Sequence, residues 1–165
     1  MPSVMGQPYP IEIAFQPDKV TIFAEAYGQQ RRIFTDGRAL PEDPDLLFNG
    51  NSVGHWEGDT LIVDTVGLSP LTNLTMGIPN TPTTRIRERI WLEGEHLRIE
   101  TTITDPAVLA APYVTQSAYA RKPDWEIREY VCAENNRLVS GTEGGANIDL
   151  GLEEDGEDPF AGTED

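Results

Sequence analysis

The chain has 165 residues and a formal net charge of −16. Folding at this length buries about two-thirds of the surface that the unfolded chain exposes, which is enough for one domain with its own core. The acidic balance disfavours nucleic acids and anionic membranes as partners, because both attract basic surfaces. No stretch approaches the ~20 consecutive apolar residues of a membrane helix, and the first residues lack the pattern of a signal peptide. We therefore expect a soluble chain with neither nucleic acid nor membrane as its partner.

Acidic residues are concentrated at the end of the chain. Residues 141–165 carry nine acids and no base, which leaves 12 bases against 19 acids, or a net charge of −7, in the rest. A segment this rich in glycine and acids cannot bury enough apolar surface to offset its ordering entropy. We predict a β-barrel domain over residues 1–140 and an acidic tail over 141–165. The tail either keeps the protein soluble, docks on a neighbouring subunit to form a homo-oligomer, or binds calcium weakly.

Alternation of apolar and polar residues recurs along the chain, which is typical of antiparallel strands with one buried face. The first predicted hairpin joins Tyr9–Gln16 to Lys19–Tyr27 in a register that places Ile13 opposite Ile22. A two-residue turn at Gly28-Gln29 then returns the chain as a third strand. The pattern predicts that the apolar residues of these strands share one face.

Two long loops, Thr35–Asn51 and Ser69–Pro82, flank a hairpin over Ser52–Thr65. Its predicted turn is Glu57-Gly58, because glycine supplies the positive φ that a two-residue hairpin turn needs. Loops of this length in a compact domain are often functional.

The clearest hairpin pairs Thr84–Leu92 with Glu95–Thr104 across Glu93-Gly94, and a last one pairs Tyr113–Arg121 with Trp125–Cys132. This makes about nine strands in all. Sequential hairpins with polar outer faces predict an all-β, antiparallel up-and-down barrel of the calycin or lipocalin kind, because closure removes the sheet edges. A β-sandwich is the alternative.

Three carboxylates lie on predicted apolar strand faces, namely Asp64, Glu88 and Glu129. An acid buried in a barrel has a raised pKa unless it is paired, which suits a general acid or base. Alternatively, each acid is satisfied by an arginine, a tyrosine or a backbone group. We predict Glu88 or Asp64 as the base of an enzyme, and Glu129 as a polar contact to a ligand.

His55 lies just before the Glu57-Gly58 turn and is a candidate proton carrier, as is Tyr119. The other histidine, His96, is predicted to face outward, so the chain shows no two-histidine spacing and we expect no metal site. Neither a Gly-x-Gly-x-x-Gly motif after a strand nor a Walker loop is present, so we expect no cofactor. Two aromatic side chains and one basic side chain complete the candidate ligand contacts: Tyr113, Trp56 and Arg38.

Arg85, Arg87 and Arg89 form a stripe on one face of their strand, beside Trp91. Such a stripe can hold a carboxylate or phosphate group bidentately. The alternative is a solvated face whose arginines pair with Glu100 and other nearby acids.

The motifs resemble a large, uncharacterised family of secreted bacterial proteins that share a Trp-Glu-Gly-Asp-Thr signature. The similar residues are Thr35-Asp36-Gly37-Arg38, Pro41-Glu42-Asp43-Pro44-Asp45, Gly54 to Thr65, and Trp125 to Asn136. The resemblance implies a periplasmic or extracellular location and a cysteine upstream that would pair with Cys132. Asn51 stands where the family commonly has a histidine, and the Pro79-Asn80-Thr81 region lacks a histidine expected there. The resemblance therefore implies that any chemistry based on those histidines is lost or altered here.

Three functions follow from these patterns. The first is a barrel that binds a small, mostly apolar molecule inside, with Asp64, Glu88 and Glu129 as its polar anchors. The second is a lyase, hydratase or isomerase that needs no cofactor and uses a buried carboxylate as its base. The third is a self-assembling structural protein with a docking tail.

Overall fold

The computed structural model describes residues 9–73 and 77–130, together with the backbone of 138–140 and 146–148. Contacts divide the chain into two compact units, Met1–Tyr130 and Val131–Asp165. The predicted boundary lies ten residues later, at 140. All of the predicted site residues belong to the first unit.

Eight strands form one curled, half-barrel sheet in the first unit, and each strand pairs with the next along the chain. This architecture confirms the all-β, barrel-like prediction. Within the described residues the sheet is open, because its first and last strands are edges, whereas the prediction was a closed barrel. The strands are β1 (Ile11–Phe15), β2 (Lys19–Ala24), β3 (Gln29–Phe34), β4 (Asn51–Glu57), β5 (Thr60–Val66), β6 (Arg85–Glu93), β7 (His96–Thr104) and β8 (Tyr113–Ala120).

The inner face of the curled sheet holds the apolar core. Ile13 lies opposite Ile22 as predicted, and Ile90 lies opposite Ile99 in the β6–β7 hairpin. The hairpin turns of β4–β5 and β6–β7 fall one residue later than predicted, at Gly58-Asp59 and Gly94-Glu95. Glycine then occupies the first central position, where a type II′ turn requires it. The main core cluster consists of buried residues from five strands: Val20, Ile22, Ile33, Leu61, Val63, Ile90 and Ile99.

The turn between β2 and β3 differs from the prediction. A short 3-10 turn over Ala26–Gly28 reverses the chain, with Tyr27 at a φ of 60° and Gly28 at 55°. Ala24 therefore pairs with Gln29, whereas the predicted turn would place it opposite Ile33. The two registers differ by an even number of residues, so every side chain keeps its predicted face.

The connection from β3 to β4 is the exception to the antiparallel meander. The two strands are parallel, with Ile33 opposite Ser52, and the long loop between them carries the chain back along the sheet. Parallel neighbours need such a crossover of a dozen or more residues. Leu47 in this loop forms a bridge with Leu68, and its N–H donates to the Gly67 carbonyl at 2.9 Å. The loop is thereby fixed beside the end of β5.

Gly67 allows this close approach of the loop to β5. Its φ is +68°, and a Cβ at this position would lie 2.7 Å from the Pro44 Cβ and 2.9 Å from the Asp45 carbonyl oxygen. Gly58 has a similar φ of +59° but open space around it. We expect Gly67→Ala to lower the free energy of unfolding by about 3 kcal/mol and Gly58→Ala by about 1 kcal/mol. Urea denaturation measures both, and equal losses would show that the close contact is unimportant.

Trp125–Tyr130 does not form the predicted last strand. This segment crosses from the end of β8 towards the start of β1: the Arg128 N–H donates to Glu25 Oε2 at 3.0 Å, and Tyr130 contacts the Tyr27 ring. The segment thus contacts side chains near the β2–β3 turn, whereas the prediction had it hydrogen-bonded to β8 as a strand. The remainder of that predicted strand, residues 131–132, lies outside the described residues.

The second unit contains one described hairpin, in which β9 (Leu138–Ser140) pairs with β10 (Ala146–Ile148). Apart from β10, the predicted acidic tail lies outside the described residues, as does Cys132.

Candidate functional site

Glu88 is the centre of a buried polar network on the inner face. Its carboxylate accepts two hydrogen bonds from the Arg31 guanidinium, one of them from Nη1 to Oε1 at 2.9 Å. Arg31 Nη2 also donates to Thr65 Oγ1 at 2.9 Å, and the Ser52 and Thr65 hydroxyls are 2.8 Å apart. Arg31 is 2% exposed and Glu88 is 0% exposed. The network is therefore a fully desolvated ion pair with additional hydroxyl partners.

Arg31 is the residue that the sequence interpretation missed. It shares the inner face of β3 with Ile33, so the alternation that placed Glu88 inside also places Arg31 there. A buried charge needs a partner of opposite charge. An arginine on an apolar strand face was therefore the sequence feature that could have identified Arg31 as the partner of Glu88. The alternative that an arginine satisfies the buried acid is confirmed for Glu88.

The ion pair makes Glu88 unsuitable as a general base. Its carboxylate is bound by a guanidinium and has no exposed surface. The Glu88 side chain also does not line the groove of about 1410 Å³ on the inner face of the sheet. A base must reach the substrate proton directly or through one water molecule. The geometry therefore supports a structural role for Glu88.

A groove of about 1410 Å³ lies on the inner face, between the edge strands β1 and β8. Buried core residues, including Ile22, Leu61 and Ile90, lie at its floor. The segment that crosses from β8 contributes Trp125 and Ile127. The groove thus has an apolar floor along the open side of the half-barrel, and we call it the inner groove. Five charged residues also line it: Glu12, Asp59, Glu95, Arg121 and Lys122.

Aromatic side chains surround the inner groove. Phe15 and Trp56 make a tilted ring contact with centroids 6.2 Å apart, and both are largely exposed, at 66% and 49%. Tyr119 is partly buried against the core cluster, and burial raises its pKa to about 12. A phenol with this pKa stays protonated at neutral pH, so it is a poor proton donor in catalysis but a suitable hydrogen-bond donor. Trp56 and Tyr119 therefore line the same groove.

Asp64 does not share this cavity. It lies opposite Arg87 in the β5–β6 register and is 3.5 Å from the Arg87 guanidinium on the outer face of the sheet. The apolar neighbours Ile62 and Val66 that suggested an inward face are buried on the outer side. Both faces of β5 are covered, so alternation alone does not identify the inward one.

The other predicted residues are also separated from the inner groove. His55 is exposed beside Glu57, with Nε2 and Oε1 3.2 Å apart, and Glu129 is exposed in the segment after β8. Arg38 is exposed, pairs with Asp36, and lies 3.8 Å from the centre of the Phe34 ring. Tyr113 packs on a second core cluster, which consists of Leu68, Ile86 and Ile103. The prediction of a single site with all three acids is therefore wrong.

Asp105 is the centre of a second polar cluster, just after β7. Burial raises its pKa, but hydrogen bonds from the hydroxyls of Thr84, Thr81 and Thr83 and from the Ala107 N–H outweigh that effect and hold the pKa at about 2. The Thr81 bond measures 2.7 Å and the Thr83 bond 2.9 Å. These bonds attach the loop before β6 to the end of β7.

The lowered pKa of Asp105 predicts a specific pH dependence of stability. Because the folded pKa lies below the ordinary value of 3.8, the carboxylate stabilises the fold above about pH 4, and this contribution disappears as the pH falls towards 2. We expect Asp105→Asn to cost about 2 kcal/mol at pH 6 and much less at pH 2. Urea denaturation of both proteins at the two pH values measures this, and a cost that does not change with pH would contradict the assignment.

Scans against protein-family models, curated proteins and solved structures found no match for the chain. No helix among the described residues is long and apolar enough to cross a membrane. Over the same part of the chain, His, Cys, Asp and Glu side chains form no group of three that could hold a metal ion.

Proposed function

We propose that the protein binds a small, mostly apolar molecule in the inner groove. The observation that supports this function is the combination of the groove's volume, about 1410 Å³, with a floor of buried aliphatic side chains. Ligand pockets are commonly lined by hydrophobic and aromatic residues with a few polar groups that orient the ligand.

Exposed aromatic groups at the inner groove support the same proposal. Phe15 and Trp56 keep much of their surface in water, and so does Trp125, at 50%. Leaving such large apolar groups exposed forfeits the free energy of burying them, about 25 cal/mol per Å². An apolar ligand would recover that free energy by covering them. Ser117 and Tyr119 also line the inner groove and add polar atoms to its wall.

The family resemblance supports the proposal that this binding occurs in the periplasm or outside the cell. The net charge of −16 supports a partner that is neither nucleic acid nor an anionic membrane. Oligomer formation through the acidic tail stays a prediction, because that tail lies mostly outside the described residues.

The neutral fluorescent probe N-phenyl-1-naphthylamine tests the proposed function. Trp56 and Trp125 line the inner groove, so binding of the probe should quench their emission while the probe's own emission rises and shifts to the blue. We expect a saturable 1:1 titration and a melting temperature that rises with probe concentration. Absence of saturable binding would overturn the proposal.

A further inference from the structure

We propose that a pocket on the outer face of the sheet binds a small organic carboxylate through Arg85 and Arg87. This pocket has a volume of about 250 Å³ and is separate from the inner groove, with which it shares no lining residue. Its volume lies below the 300–1,000 Å³ typical of drug-sized ligands, so it suits a small molecule. We call it the outer pocket.

The strand register brings suitable donors together. Arg85 and Arg87 project from the same face of β6, directly opposite Thr104 and Thr102 of β7. All four side chains line the outer pocket. Two guanidinium groups and two hydroxyl groups on neighbouring positions can surround a planar carboxylate, because guanidinium groups match its two oxygens bidentately.

The charges favour a singly charged ligand. Arg87 contacts Asp64 at 3.5 Å, which is a long ion pair, and Arg85 forms no ion pair with any residue that the structure describes. With Asp64 the outer pocket carries one net positive charge, which a monocarboxylate neutralises and a phosphate dianion would overcompensate. The proposal thus concerns a carboxylate in particular.

An apolar wall adjoins these donors. Leu40, from the long loop before β4, and Val66, at the end of β5, both line the outer pocket. The ligand is therefore a carboxylate attached to a short apolar body, which would contact Leu40 and Val66 while its oxygens face the two arginines.

Sodium benzoate is a suitable probe. Its binding can be monitored by two-dimensional NMR through the side-chain Nε–Hε resonances of the arginines, at constant ionic strength. We expect saturable shifts of Arg85 and Arg87, and no such shifts with benzamide, which has the same ring without the charge. Saturable benzamide shifts of equal size, or an absence of saturable benzoate shifts at these two arginines, would overturn the proposal.

Four variants separate this site from a general attraction of anions. Arg85→Gln and Arg87→Gln should each weaken benzoate binding about tenfold, because each removes a charge-assisted contact. Asp64→Asn should strengthen binding several-fold, because it removes a repulsive charge and releases Arg87. Arg89→Gln is the matched control on the same strand face outside the outer pocket, and it should change the affinity less than twofold. Equal weakening in Arg89→Gln, or weaker binding in Asp64→Asn, would contradict the proposal.

Discussion

Replacing Arg31 with methionine is expected to lower the free energy of unfolding by about 3–5 kcal/mol, because it leaves the Glu88 carboxylate buried without a counter-ion. Glu88 is 0% exposed and lies among aliphatic core residues, so water cannot take the place of the guanidinium. Urea denaturation with a fit of the midpoint and slope measures the loss. A loss this large is a substantial fraction of the total stability of a domain of this size, which is about 5–15 kcal/mol.

The double variant Arg31→Met with Glu88→Met separates the value of the ion pair from the cost of an unpaired charge. It should recover most of the stability that Arg31→Met loses, since two apolar side chains of similar length can replace a buried ion pair at little cost. Arg32→Met on the same strand is the matched control, because Arg32 is exposed on the opposite face, and it should change stability by less than about 0.5 kcal/mol. A double variant as unstable as Arg31→Met would show that the unpaired charge is not the cause.

Replacing Ile13 with glutamate is expected to weaken binding of N-phenyl-1-naphthylamine at least about tenfold, because it places a charge where the apolar ligand would lie. Ile13 is partly buried on the edge strand β1 and lines the inner groove. Since β1 is at the edge of the sheet, the new carboxylate can reach water and the fold should persist. Fluorescence titration measures the affinity, and a thermal melt by circular dichroism verifies folding.

Val114→Glu is the matched control for Ile13→Glu. Val114 lies on the other edge strand, β8, is 54% exposed, and does not line the inner groove. The Val114→Glu variant should bind the probe with the same affinity as the unmodified protein. If both variants bind the probe normally, or both lose binding equally, the ligand does not occupy the inner groove.

Alternation predicted the strands and their pairing well where only one face is buried. The β1–β2 and β6–β7 registers follow directly from their apolar residues, and Glu88 is inside as expected. The alternation failed for Asp64, because the residues on both faces of β5 are buried and the apolar run has no polar side to mark the exterior.

The sequence pattern could not predict features of the fold that depend on contacts between distant parts of the chain. The parallel β3–β4 pairing depends on how a long loop packs beside Gly67, and the course of Trp125–Tyr130 depends on contacts with Glu25 and Tyr27. Neither the parallel pairing nor the course of this segment produces a periodic pattern of residues in the sequence. Arg31, by contrast, was predictable in principle, because it alternates with Ile33 and a buried acid requires a cation.

The most direct test of the account is the position of a bound apolar ligand, mapped by amide chemical shifts during titration with N-phenyl-1-naphthylamine. We predict that the largest shifts fall in β1 and in residues 117–119 of β8, with smaller ones near Leu97. Saturable shifts confined to the outer face of β4 and β5, or none above those caused by solvent alone, would contradict the claim that the open side of the half-barrel is the binding site.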